Sequence, residues 1–280
     1  MIHYMKNKTK IIVCILIFAV GLSVLLYPAV SNYVHQKHQM GVIEDYRKQA
    51  EKMSQEEIDV LMSDAREYNA LLADRAINGS TLIASSDLEY ENLLNISDDV
   101  MAYITIPVCD IRLPIRHGCG EDVLQKSAGH IPESSLPIGG ENTHAVITAH
   151  RGLPSAKLFT NIDSLKEGDL FFIYGFEETL AYKVDQIRVV LPDDASYLQI
   201  TPGKDYVTLL TCTPYGINTH RLLVRGERTE YTQEVEEEQV AEARQKHNRT
   251  VLLYIIGIVA AVLIMLVVYL IRKRLAKRRT

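Results

Sequence analysis

The chain is apolar in two blocks and mixed in between. Residues 11–27 carry no charge over 17 positions, and residues 251–271 carry none over 21. Both runs reach the lower length limit for a helix that crosses a bilayer. The intervening pattern changes once. From His35 to Asn78, apolar residues recur at Ile43, Tyr46, Ala50 and Met53, then at Ile58, Leu61, Met62, Ala65, Tyr68, Leu71 and Leu72. That three-and-four spacing predicts one or two amphipathic helices, closed by Gly79 just past the last turn. From about Met101 to Arg228 the runs become short, rich in Val, Ile, Thr and Tyr, and divided by Gly and Pro. Strands are predicted at 100–107, 111–115, 144–149, 169–174, 181–191, 206–211 and 221–226. Residues 175–178 read as a hairpin loop, and 153–165 as the one helical piece. Seven or eight short strands predict a mainly β domain, either a closed barrel or a sandwich.

Charge placement sets the membrane topology. Lys6, Lys8 and Lys10 precede the first run, and Arg272, Lys273, Arg274, Lys277, Arg278 and Arg279 follow the second. Residues 27–250 hold the other 21 Lys and Arg and all 35 Asp and Glu, a net of −14. Cations concentrate on the cytoplasmic side of membrane proteins. Both termini are therefore expected inside the cell membrane and the middle outside. This pattern excludes a plain soluble protein, and the overall net charge of −5 argues against nucleic-acid binding. The expected organisation is a cytoplasmic N-terminus (1–10), an anchor (11–27) and an external helical segment (28–79). A linker (80–100), a β domain (101–228), an acidic tether (229–250), a second span (251–271) and a basic tail (272–280) follow. The first run also has the basic start and apolar core of a cleaved signal sequence, but Tyr27-Pro-Ala-Val-Ser lacks a clear small-x-small site.

Three cysteines fall in the external segment: Cys109, Cys119 and Cys212. An odd number leaves at least one without an intrachain partner. Cys109 and Cys119 read as idle thiols rather than a pair across a turn. Cys212 ends the strand-like Tyr206-Val-Thr-Leu-Leu-Thr-Cys and precedes a Thr-Pro-Tyr-Gly loop. Arg221, nine residues on, starts the next strand, and two antiparallel strands would set the two side by side. His150 ends Ala145-Val-Ile-Thr-Ala-His. Cys, His and Arg at three strand ends suit nucleophilic catalysis, although a lone Cys near Pro also packs and a lone His is also structural. His144 and His220 are assigned to the opposite strand faces or to loops. His117 and His130 have no Cys or carboxylate at ligand spacing, so neither metal nor cofactor is expected.

Thr208-Leu-Leu-Thr-Cys-Thr-Pro-Tyr-Gly-Ile-Asn-Thr-His-Arg-Leu-Leu-Val-Arg-Gly resembles the active-site signature of sortases, the Gram-positive cysteine transpeptidases. Thr148-Ala-His-Arg-Gly-Leu-Pro-Ser-Ala-Lys-Leu-Phe resembles the histidine segment of the pilus-assembling class C, and Leu113-Pro-Ile-Arg-His-Gly and Leu136-Pro-Ile-Gly-Gly match intermediate blocks. The resemblance implies an eight-stranded sortase-type β-barrel with N-terminal helices, flanked here by two transmembrane helices. It also implies Cys212 as nucleophile, His150 as general acid/base and Arg221 beside the thioacyl intermediate.

The implied reaction cleaves an LPXTG-like sorting motif between Thr and Gly and passes the acyl group to an amine. In class C that amine is a pilin lysine; the alternative is a cell-wall precursor, with surface proteins bearing C-terminal sorting signals as substrates. Hydrolysis by water competes, and a catalytically dead, membrane-tethered assembly scaffold is the reading from a different class. Many class C members carry an Asp-Pro-aromatic lid. Here Asp87-Leu-Glu-Tyr90 has Leu88 in place of the Pro. Asp87 and Tyr90 are the candidate lid residues, and without the stiffening Pro the segment is expected to dock weakly.

Overall fold

The computed structural model describes residues 2–80, 88–97 and 99–245, and beyond them positions 248, 249, 252, 253, 256, 257 and 260. Most of the predicted second span and all of the basic tail therefore lie outside the described residues. The chain separates into two units, residues 1–231 and 232–280. In the second unit, the acidic stretch is helical over 233–245.

α1 (Ile2–Ala50) joins the first apolar run to the start of the amphipathic segment without a break, although Pro28 lies inside it. Within α1, residues Leu16–Ala50 form the one helix among the described residues that is long and apolar enough to cross a membrane. The side chains of residues 16–30 are exposed, and burial begins beyond them, with Gln39, Ile43 and Tyr46. α2 (Gln55–Asn78) has well-marked ends. Ser54 accepts from the Glu57 amide while the Glu57 carboxylate accepts from the Ser54 amide, and Gly79 closes the helix at φ +72°. Its inward stripe is Met62, Ala65, Tyr68, Asn69 and Leu72.

Eight strands close into a barrel in the order β1-β2-β3-β4-β7-β8-β6-β5. They are β1 (Val100–Ile106), β2 (Ile111–His117), β3 (Ala128–His130), β4 (Thr143–Thr148), β5 (Leu170–Tyr174), β6 (Thr179–Val190), β7 (Asp205–Thr213) and β8 (His220–Thr229). Pairing is antiparallel except for β2 with β3 and β4 with β7. Alternate residues point inward: Val207 and Leu209 of β7 and Leu222 and Val224 of β8 join Ile104, Ile115, Ile147 and Phe171 in one core.

Two features depart from the sequence pattern. β3 escapes prediction because Ala128-Gly129-His130 is short and buried throughout, with no alternation to read. It requires Gly129: an added Cβ would sit 2.2 Å from the Gly118 carbonyl oxygen. The helix expected at 153–165 is instead a string of turns with a single 3-10 turn at Ile162–Ser164. Leu158, Phe159, Ile162 and Leu165 are buried at helix-like intervals. However, Pro154 interrupts the run, Leu158 takes φ +40°, and the Phe159 amide is drawn to the His150 carbonyl at 3.1 Å. A periodic apolar pattern is also what a folded-back loop shows when it caps a barrel.

Candidate active site

The last rungs of β7 and β8 place Cys212 directly opposite Arg221, with Thr213 opposite His220 one step further. Because Val207 and Leu209 face the core, Thr208, Leu210 and Cys212 face out, and Arg221 shares that outer side. The connecting loop is held by two amides, Ile217 and Asn218, that both donate to the Pro214 carbonyl at 3.1 and 3.0 Å. The Thr213–Pro214 peptide is cis. The Arg221 guanidinium donates Nη1 to the Asn218 and His220 carbonyls at 3.3 and 3.2 Å, at the long end of hydrogen bonding.

β4 lies parallel to β7, with Thr148 level with Leu210. Extending that register by two residues brings His150 level with Cys212. Two bonds secure the extension: Ala149 N donates to Leu210 O at 3.3 Å, and Thr211 Oγ1 donates to Ala149 O at 2.8 Å. The three residues singled out from sequence thus converge on one end of the barrel, at the ends of β4 and β7 and the start of β8.

Three further features surround them. His150 Nε2 lies 3.2 Å from Glu121 Oε2. A carboxylate only accepts, so Nε2 carries the proton. Glu121 opens α3 (Glu121–Leu124) and is held at its other oxygen by Gln125 Nε2 at 3.0 Å. The Gln125 bond and the facing His150 hold its carboxyl below the usual range. Arg151 is part-buried and reaches across the site: Nη1 donates to Thr213 Oγ1 at 3.1 Å, and Nη2 pairs with Asp163. The residue after His150 therefore grips the residue after Cys212. Gly152 follows at φ +82°, where an added Cβ would approach the Tyr215 ring to 3.0 Å. Glu121 and Arg151 carried no local signal in the sequence, since both act across more than ten residues.

Tyr90 is firmly held, contrary to the weak docking expected for its segment. Its ring lies 5.7 Å from that of His130 and 5.2 Å from that of His117. Its hydroxyl accepts from Gly118 N at 3.0 Å and lies 2.9 Å from His130 Nδ1. His130 Nε2 faces the Ser135 carbonyl at 2.8 Å and must donate to it, so Nδ1 is the acceptor for the Tyr90 hydroxyl. Leu88 also packs on the main core. The anchoring thus comes from the aromatic ring and its hydroxyl, which do the work expected of a stiff Pro. Asp87 lies outside the described residues.

Cys109 is buried near Asn161 O (3.3 Å), Cys119 is exposed, and neither is disulfide-bonded. His144 corrects the expected strand parity, for it lies on the same outer face as His150. Its ring is fully engaged there, with Nδ1 donating to Gln199 O at 3.0 Å and Nε2 accepting from Thr208 Oγ1 at 2.7 Å. These bonds pin the long β6–β7 connection across β4 and β7. Beside it lies a pocket of about 420 Å³, lined by His144, Val146, Gln199 and Ile200 with Leu72 and Arg75 of α2.

This geometry has close counterparts. The sortase domain family matches residues 104–229. Sortase C1 from Streptococcus agalactiae is 45% identical, with 68% of this chain and 99% of that one covered at a TM-score of 0.63. Sortase C-1 from Streptococcus pneumoniae is 46% identical, with 69% and 100% covered at a TM-score of 0.62. Sortase A of Streptococcus agalactiae serotype III is 26% identical over 231 residues, 81% of this chain and 87% of that protein. The chain belongs to the sortase family of cysteine transpeptidases. Its structural likeness falls within that family's class C.

Proposed function

We propose that Cys212 is the nucleophile of this transpeptidase, that His150 is its general acid/base and that Arg221 stabilises the acyl transfer. The observation that carries the reading is the ladder pairing of Cys212 with Arg221, with His150 brought level by the β4–β7 register. The Cys212 thiolate attacks the Thr carbonyl of an LPXTG-like motif, and the C–N bond to Gly breaks as the tetrahedral oxyanion collapses. Arg221 keeps its charge throughout and offers a planar donor fork to that oxyanion or to the substrate backbone. His150 protonates the departing Gly amine and later takes a proton from the incoming one. The second amine attacks the thioester, forms the new amide and frees the thiol.

The acceptor is a pilin lysine, as the class C likeness favours, and the donors are pilins or surface proteins with C-terminal sorting signals. The chain is held at the cell membrane by residues 11–27 and 251–271, with both termini inside and the catalytic domain outside, as the flanking cations favour. A competition experiment tests the acceptor: purified enzyme receives a sorting-motif peptide with equal amounts of a lysine-bearing pilin domain and a cell-wall precursor amine. Product on the pilin lysine supports polymerisation. Product on the precursor alone replaces it with surface-protein anchoring.

A further inference from the structure

α1 is docked on the barrel with its apolar end at the catalytic end. Ser31 Oγ donates to Ser155 O at 3.1 Å, and Asn32 Oδ1 accepts from Lys157 N at 2.9 Å. Both partners lie in the connection that follows His150. Further along α1, Gln39 bonds the Lys126 carbonyl, just ahead of β3. Tyr46 then donates to Met101 O at 3.2 Å and Gln49 to Ser97 Oγ at 2.8 Å, both at the start of β1. In the barrel register, Val100 at the start of β1 is level with Arg116 of β2, Gly129 of β3 and Thr148, the last residue of β4. The contacts nearest the apolar run are thus with the connection that leaves the catalytic end at His150. The apolar run stops at Tyr27, about 6 Å before Ser31 at ~1.5 Å per residue. With that run in the bilayer, as proposed above and as this inference requires, the catalytic end of the barrel lies close to the membrane.

The same end carries most of the exposed apolar surface of the catalytic body. Among the described residues from 51 to 231, the four most exposed large apolar side chains are Ile217 (67%), Leu191 (62%), Val189 (61%) and Tyr215 (58%). Val189 and Leu191 flank Val190, the β6 residue paired with Arg221, and Tyr215 and Ile217 lie in the loop between Cys212 and Arg221. Single exposed apolar residues are ordinary, but a group gathered at one functional end marks a contact surface. We infer that Val189, Leu191, Tyr215 and Ile217 form a rim that rests in the headgroup–acyl boundary of the membrane holding α1. Exposed charges of both signs adjoin the rim, Arg188 before Val189 and Asp193 and Asp194 after Leu191, so no excess of cations draws it to anionic lipid and a zwitterionic bilayer suffices. The rim would hold Cys212 at the height where a membrane-embedded sorting signal leaves the bilayer.

The test uses the full chain in phosphatidylcholine vesicles, with its four native cysteines replaced by Ala and one environment-sensitive fluorophore attached at a time. The positions are Ile217→Cys in the rim, Val24→Cys in the apolar run and Ile77→Cys on α2, beside Thr143 at the opposite end of the barrel. Val189→Cys repeats the rim measurement on a second element, in case the loop is altered by its label. The expected result is that labels at 24, 189 and 217 are quenched by nitroxide lipids, whereas the label at 77 is quenched by aqueous iodide. Lipid quenching at 24 with iodide quenching at 189 and 217 overturns the rim and leaves the anchor intact. Iodide quenching at 24 overturns the anchor reading itself, and the rim with it. Rim labels that leave water only when a sorting-signal protein is added also overturn the inference, in favour of a protein contact.

Discussion

Cys212 and Arg221 are opposite partners in the β7–β8 ladder, one rung from its end. Each backbone is fixed by main-chain pairing rather than by a loop, so the two side chains leave adjacent points of one ladder. An ammonium at position 221 retains the charge but not the two-donor fork. Arg221→Lys is expected to lower kcat by about 10²–10³, the usual cost of removing an oxyanion donor, with circular dichroism unchanged. Near-normal turnover in that variant removes Arg221 from the chemistry.

Glu121 holds the proton-bearing nitrogen of His150 from the far side, as the third member of a nucleophile–base–orienter arrangement does. Glu121→Gln keeps the shape and an acceptor oxygen but removes the charge. It is expected to reduce kcat several-fold with KM little changed, and to alter the pH–rate profile, which a merely structural residue would not do. The sign follows from the carboxyl's lowered titration: the carboxylate that orients His150 is ionised above that range and is lost as pH falls through it. An unchanged profile makes Glu121 a bystander.

How much of this was legible in the sequence depended on whether the signal was local. Strand ends at Cys212, Arg221 and His150 could be read because alternating runs stop there at Pro, Gly and polar residues. β3 could not, because three buried residues have no period. The loop at 153–165 imitated a helix because its buried residues cap the barrel at helical intervals. Glu121 and Arg151 were hidden for a different reason. Their partners lie 29 and 62 residues away, and only barrel closure brings them together. Tyr90 was read as poorly held because the stiffness of a Pro was missed, when the ring itself supplies the docking surface.

The Tyr90–His130 contact links the pre-barrel segment to stability. Burial pushes His130 down to about 4, so it is neutral in the folded protein at pH 7, whereas the unfolded chain titrates near ~6.5. Between those values the unfolded state binds more protons, so its contribution is full above ~6.5 and declines as pH falls toward 4. The sum is about 3 kcal/mol at ~1.4 kcal/mol per pH unit. Urea midpoints of the ectodomain are expected to fall across that window. Tyr90→Phe, which leaves His130 Nδ1 and the Gly118 amide without their hydroxyl partner, should lower stability by ~1–3 kcal/mol at neutral pH. A midpoint independent of pH from 6.5 to 4 contradicts the assignment of a neutral, buried His130.

Topology is testable on cells. With residues 11–27 and 251–271 both spanning, protease added to protoplasts should digest the middle of the chain and spare a tag at the C-terminus. A C-terminal tag cleaved from outside contradicts the second span.

The central claim is that Cys212 forms the thioacyl intermediate. Its most direct measurement is mass spectrometry of the ectodomain, quenched in acid during turnover of a sorting-motif peptide and then digested. The predicted result is a mass increase equal to the peptide truncated at Thr, confined to the fragment containing Cys212. It should be lost on adding an amine and absent in Cys212→Ala, while Cys109→Ala and Cys119→Ala retain it. An adduct on Cys109 or Cys119, or continued transpeptidation by Cys212→Ala, would contradict the account.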